Sequence, residues 1–271
     1  MHPIGVFDSG VGGLSVLRAL HAELPQELFV YVADSGHAPY GERDDSHIIE
    51  RSHAITDYLI QRHAIKALVV ACNTATAAAI HTLRAMHPNL PIIGIEPALK
   101  PAVAMTRTGR IGVMATRGTL GSEKFKTLYT SLKDQAEFIL QPCDGLADAI
   151  ERDDAAQILR ISSDCMQNMG SFGHAPGNID TLVLGCTHYP FIAPILQNLA
   201  GYPIQFLEGG VPVARQTKRV ITDHFKLCDS KLASTEPLNT LQFFSTGNSA
   251  SLFHTVKRWL HSQHTVHSIT I

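Results

Sequence analysis

Short apolar runs, each bounded by turn-forming residues and separated by longer stretches of helical periodicity, recur along the chain. The first four are IGVF (4–7), LFVYVA (28–33), ALVVA (67–71) and PIIGI (91–95). A second four follow: RIGVMA (110–115), AEFILQ (136–141), TLVLG (181–185) and PIQFL (203–207). None shows the apolar–polar alternation of a strand with one wet face, so each reads as a strand covered on both sides. Residues 14–24 and 46–62 carry the spacing of amphipathic helices between them. Strands that alternate with helices predict an α/β fold with parallel sheets.

The two sets of strands also match in register. IGVFDSG aligns with IGVMATRG, LVVACNTA aligns with LVLGCTHY, and the intervening strands fall at similar distances. This is a diverged tandem repeat, and it predicts two pseudo-symmetric parallel-sheet domains of Rossmann or flavodoxin-like type that face each other across a cleft. The expected boundaries are 1–97 plus 209–271 for the first domain and 98–208 for the second. Segment 97–110 carries the crossing, and LQFFS (241–245) and the helical 251–261 return to the first sheet. Open α/β sheets bind ligands beyond the carboxyl ends of their strands, which is where Asp8, Cys72, Thr116 and Cys186 fall.

Composition narrows the class. The 271 residues are 45% hydrophobic, enough for a substantial core. With 22 basic and 24 acidic residues the net charge is -2, which favours neither nucleic acid nor an anionic membrane. No apolar run approaches the roughly 18 to 20 residues of a membrane span. Met1 leads straight into a strand without a charged leader, so no signal peptide is expected and a cytoplasmic location is. Five scattered cysteines make no disulfide framework. The 15 histidines show no zinc-binding spacing, so no metal is expected.

A single cysteine at a strand end is ordinarily packing. Two at equivalent strand ends, one followed by Asn-Thr and the other by Thr-His, point to a functional pair. Such thiols could form a disulfide, hold a metal, attack an electrophile or move protons. The CxxC spacing of a thiol oxidoreductase is absent, four zinc ligands are not assembled, and a lone nucleophile needs no symmetric partner. Proton transfer does need one: inverting a carbon centre removes hydrogen from one face and returns it to the other. Each thiol is expected where a helix begins, with the helix dipole favouring the thiolate. Ser9, Asn73, Thr74, Thr116, Thr119 and Thr187 supply nearby groups that could bind a carboxylate and its developing charge.

The segments FDSGVGGLSVL (7–17), ADSGHAPYGER (33–43), ACNTATA (71–77), IGVMATRGT (111–119) and LGCTHYPF (184–191) together resemble the glutamate racemases of the aspartate/glutamate racemase family. The resemblance implies cofactor-independent interconversion of L- and D-glutamate, supplying D-glutamate for peptidoglycan. It implies that Cys72 handles the proton of the D-isomer and Cys186 that of the L-isomer. Substrate binding would fall to Asp8, Ser9, Tyr40, Gly41, Asn73, Thr74, Thr187 and His188. Asp8 and His188 would also tune the thiols, with Thr116, Thr119 and Glu151 as auxiliaries. His188 after Cys-Thr points to glutamate rather than aspartate. The segment LEGGVPVA (207–214) departs from the serine-containing strand end of many members. The implied partner is a small-molecule substrate, with no nucleic acid and no membrane, and a homodimer is an assembly to test for.

Other signals have plainer readings. GVGGLS (10–15) lacks the third glycine of a dinucleotide loop and reads as a tight strand-to-helix turn with weak capacity for anions. Asp8 could simply cap the following helix, and Pro39-Tyr40-Gly41 could be only a turn. His37 and His47 read as solvated loop residues, Cys143, Cys165 and Cys228 as structural, and Trp259 as packing for the last helix. Competing functions are a related two-cysteine isomerase acting on aspartate, a hydantoin or maleate, a non-catalytic two-lobed amino-acid-binding protein, and a thiol redox sensor.

Overall fold

The computed structural model describes residues 2–225, 241–260 and 264–271. The first lobe opens with β1 (Ile4–Asp8), α1 (Leu14–Glu23), β2 (Phe29–Ala33), α2 (Asp45–His63), β3 (Ala67–Val70), α3 (Asn73–Met86) and β4 (Ile92–Gly94). The crossing segment contains α4 (Leu99–Met105). Beyond it lie β5 (Arg110–Ala115), α5 (Arg117–Gly121), α6 (Glu123–Thr130), β6 (Glu137–Pro142), α7 (Leu146–Glu151), α8 (Ala155–Met169), β7 (Thr181–Gly185), α9 (Ala193–Ala200) and β8 (Gln205–Leu207). The chain then forms α10 (Gly210–Phe225), β9 (Leu241–Ser245), α11 (Ser249–Leu260) and β10 (Val266–Ser268).

The architecture is α/β with two parallel sheets. One has the order β10-β9-β2-β1-β3-β4, the other β6-β5-β7-β8. The internal repeat is visible in the pairing: Ile4 lies between Phe29 and Ala67, and Ile111 between Phe138 and Thr181. In both sheets the chain reverses its direction of travel around the first strand of the repeat, between β1 and β3 and between β5 and β7. Ligands of open α/β sheets bind at such switch points.

Two expectations change. β6 and β8 are half-exposed, because each is an edge strand with one neighbour and incomplete helical cover. β10 was not anticipated: VHS has no apolar run, and it forms a strand by pairing with β9. Cys228 lies outside the described residues. Among those residues no helix is long and apolar enough to cross a membrane.

The lobes share one core. Ile4, Val6, Leu17 and Tyr31 of the first belong to the same buried cluster as Leu146, Met166, Leu182 and Leu196 of the second. Trp259 on α11 packs at the edge of this cluster, and its ring stacks on Phe191 with centroids 4.6 Å apart and planes at 22°. It therefore joins the lobes as well as packing its own helix.

Trp259 is the only tryptophan, so its fluorescence reports this contact. Phe191→Ala should shift the emission to longer wavelength and remove about 3 kcal/mol of stability, the scale for deleting a buried aromatic ring. Unchanged emission and an unchanged denaturation midpoint would show that the stack is incidental.

Candidate active site

Four strand ends build the site. β1 ends on Asp8, β3 runs out through Ala71 to Cys72, β5 is followed by Thr116, and β7 by Cys186. Both thiols are buried, Cys72 with 5% and Cys186 with 7% of their surface exposed. Burial, followed by the charge of Asp8, pushes the Cys72 thiol well up, and the charge of Cys186 from the other lobe adds to that push.

Cys72 is the N-cap of α3, with its Sγ accepting from the Ala75 N–H at 3.5 Å and lying 3.8 Å from Ser9 Oγ. The capping position was expected to favour a thiolate. Burial and the neighbouring carboxylate outweigh it, so the thiol is the favoured form in this state. Cys186 departs further from expectation. Residues 186–188 form a turn that leads into a 3-10 segment, Tyr189–Ile192, and α9 starts only at Ala193. Pro190 and Pro194 shape this detour. The polar partner of Cys186 is instead His188, whose Nδ1 is 3.7 Å from Sγ.

Behind His188 stands Glu151, at 2.8 Å from Nε2. A carboxylate can only accept, so Nε2 carries a proton, and Nδ1 is the ring nitrogen that faces the Cys186 sulfur. Burial works against a charged His188. Hydrogen bonds to Cys186 and Glu151, with their charges, overcome that penalty and raise its pKa well above the ordinary value. Glu151 is itself held from the opposite lobe, by the Val11 N–H at 3.0 Å and the Ser35 hydroxyl at 3.2 Å. The glycine-rich turn thus binds an anion after all, and the anion is a side chain of this protein. The glycines follow from the closeness of the lobes: a Cβ at Gly10 would run into Glu151, and one at Gly12 into Thr187 and His188.

Asp8 is fully buried between the thiols' loops. Its Oδ2 accepts from the Gly13 N–H at 2.6 Å and lies 3.4 Å from Thr187 Oγ1, whereas Oδ1 has no partner at hydrogen-bond geometry among the described residues. Asn73 Oδ1 is also buried and unpaired. Such orphaned acceptors are costly unless a ligand satisfies them. Burial raises the Asp8 pKa, against the lowering effect of His188. On the other side, Thr74 Oγ1 and Thr116 Oγ1 meet across the lobes at 3.0 Å, and Thr116 donates to Thr119 Oγ1 at 2.9 Å.

The structure thus brings Asp8, Ser9, Cys72, Asn73, Thr74, Thr116, Thr119, Glu151, Cys186, Thr187 and His188 to the contact between the two sheets' strand ends. Tyr40 and Gly41 lie in a 3-10 turn at its edge. Gly41 packs against Thr116, but the Tyr40 hydroxyl turns away to Asp34, 2.6 Å from Oδ2. Asp34, Ser35 and Arg51 were not singled out from the sequence. Asp34 closes β2 and satisfies the same strand-end rule as Asp8, so that signal was present. Nothing local marks Arg51, which sits mid-helix. Of the residues read as bystanders, His37 and His47 are half-buried and face each other with ring centroids 5.6 Å apart, His47 in the first turn of α2. Cys143 and Cys165 are buried in the shared core, both in contact with Gln141. Gly209, in the divergent LEGG segment, packs on Ile95 at the crossing.

Residues 4–217 match the family model described as Asp/Glu/Hydantoin racemase. The chain is similar to a glutamate racemase of Ectopseudomonas mendocina (strain ymp), with 47% identity over 246 residues that cover 91% of this chain and 90% of that one. Among solved structures it resembles a glutamate racemase isoform from Bacillus anthracis, with a TM-score of 0.82 and 30% identity over 100% of this chain and 98% of the other. It also resembles the Escherichia coli glutamate racemase solved with L-glutamate and the activator UDP-MurNAc-Ala, with a TM-score of 0.82 and 26% identity over 100% and 99% of the two chains.

The clasp on His188 has a consequence for stability. A histidine whose folded pKa lies above its ordinary 6.5 contributes stability fully below that value, and loses it as pH rises through the folded pKa. Glu151→Gln should lower the pH at which His188 titrates by NMR. The stability gap between wild type and variant should be widest near and below pH 6.5 and close as the solution becomes alkaline. A gap that widens with rising pH would rule out this linkage.

Proposed function

The chain belongs to the Asp/Glu/Hydantoin racemase family and is an isomerase, and we propose that it interconverts L- and D-glutamate with two cysteine thiols and no cofactor. The observation that carries the proposal is the pair of buried thiols at equivalent strand ends, close enough for the charge of Cys186 to act on Cys72, with an unpaired Asp8 carboxylate oxygen buried beside Cys72. The names of the relatives favour glutamate as the substrate.

The chemistry follows from the partners. The α-ammonium group of the substrate would satisfy the orphaned oxygens of Asp8 and Asn73. Its α-carboxylate would take the Thr74 and Thr187 hydroxyls and the free N–H groups at the start of α3, where the helix dipole favours negative charge. Cys186, exchanging its proton with His188, is placed to take the α-proton of the L-isomer as a thiolate. The Cα–H electron pair then spreads onto the held carboxylate. Cys72, kept as a thiol by its surroundings, delivers its proton to the opposite face and becomes the thiolate. The reverse reaction starts from that state. This assignment makes the pair a two-base device. A cytoplasmic supply of D-glutamate for peptidoglycan is the physiological role proposed with it.

The first test is isotopic. In deuterium oxide, with no added cofactor, L-glutamate should lose its α-proton signal while its circular dichroism decays to zero. Recovery of glutamate with its proton intact would leave a binding protein, and exchange of aspartate alone would change the substrate. Thr74→Ala and Ser9→Ala should each weaken kcat/KM by about 1.5 to 3 kcal/mol, the scale for a hydrogen bond to a charged group.

The thiols should separate by face. Cys72→Ser and Cys186→Ser should each reduce racemisation at least about 10²-fold, since a hydroxyl is a poor substitute acid and base. An analogue with a β-leaving group needs only one base for elimination. Cys186→Ser should still process the D-analogue and Cys72→Ser the L-analogue. Loss of both eliminations in both variants would show that neither thiol works alone.

A further inference from the structure

The proposed chemistry leaves a buried ionic cluster unused. Asp34 is fully buried and accepts four hydrogen bonds: from Arg51 Nη2 at 2.9 Å, Arg51 Nε at 3.0 Å, the Tyr40 hydroxyl at 2.6 Å and the Thr246 hydroxyl at 2.7 Å. Burial pushes its pKa up, and these bonds more than reverse the push. The third guanidinium nitrogen, Nη1, donates to the main-chain oxygen of Ile271 at 2.9 Å.

That last bond is the informative one. Neutralising Asp34 takes only the two parallel bonds of the guanidinium fork. The third ties in the segment after β10, which is also stitched to β9 by the Ile269 N–H to the Ser245 oxygen at 2.9 Å. Only arginine offers donors in one plane to a carboxylate on one side and a main-chain oxygen on the other. Towards the cleft, Tyr40 carries Gly41 onto Thr116, whose hydroxyl meets that of Thr74.

We propose that Arg51 is a positioning residue for the substrate-binding wall: it ties Asp34, and through it the Tyr40 hydroxyl, to Ile271 in the segment after β10, so that docking of residues 269–271 fixes the Tyr40–Gly41 turn against Thr116. The effect on catalysis rests on the reading that this turn lines the glutamate cleft, whereas the mechanical link does not.

Arg51→Gln and Arg51→Lys in the full chain test it. KM for glutamate should rise about tenfold while kcat stays within about threefold, the signature of a lost binding geometry. Amide exchange should speed up in residues 34–43 and 266–271 together, with β5 and β7 unchanged. In a Tyr40→Phe background the Arg51 substitution should add little further cost, because both act through Asp34. Additive costs, a fall in kcat at constant KM, or faster exchange in only one of the two segments would overturn the proposal. Should the glutamine variant not fold, the lysine variant decides, since it keeps the positive charge and loses the fork. A wild-type chain inert towards glutamate would defeat the preceding reading, and the paired exchange response would still decide the link between the two segments.

Discussion

The close approach of the Gly10–Gly13 turn to the loop at Cys186–His188 governs the rest of the molecule. Two lobes that merely touched would leave water between the strand ends. Here glycines without side chains let Glu151, Thr187 and His188 press onto the opposing backbone, and the Val11 N–H bonds directly to the Glu151 carboxylate. This contact removes solvent from both thiols and from Asp8, and it connects His188 to the first lobe. Every electrostatic property of the site depends on that exclusion, because charges interact more strongly once water is gone.

Asp8 and Asp34 show what the burial is used for. Asp8 ends β1 and Asp34 follows the adjacent β2 directly, and both are fully buried. Asp34 is saturated by Arg51, Tyr40 and Thr246, and its pKa is held below the usual range. Asp8 keeps one oxygen without a partner, and its pKa is raised. The saturated carboxylate behaves as a structural anchor. The unsaturated one marks a place where the fold gives up stability, as sites prepared for a ligand do.

The pseudo-symmetry of the two halves ends at the thiols' partners. Cys72 caps a helix and lies near a serine, surrounded by groups that favour its protonated form. Cys186 stands in a turn beside a histidine that is held towards its charged form by a carboxylate from α7. Two equivalent strand ends thus give their thiols different polar partners.

The alternation of unpatterned apolar runs with amphipathic helices was enough to specify parallel sheets, because strands covered on both faces cannot read otherwise. The tandem repeat placed Asp8, Cys72, Thr116 and Cys186 at strand ends, and ligands gather there for topological reasons that the chain carries locally. β10 was not legible, since its few polar residues become a strand only by pairing with β9. The turn after Cys186 was not legible as a departure from a helix start, because Pro190 and Pro194 suit the first positions of a helix equally well, and here they open a 3-10 segment and then α9. Arg51 was silent for the same reason: in a helical sequence it is an ordinary exposed-face residue until Asp34, Tyr40 and Ile271 surround it. Sequence by itself determined the eight strands of the repeat and which side chains stand at their carboxyl ends, all of which follow from short-range patterns. Tertiary structure alone decided which polar partners surround each thiol and which carboxylate is left unpaired, because Cys72 meets Ser9 across 63 residues, the His188 beside Cys186 meets Glu151 across 37, and Glu151 and Asp8 touch groups 116 to 179 residues away.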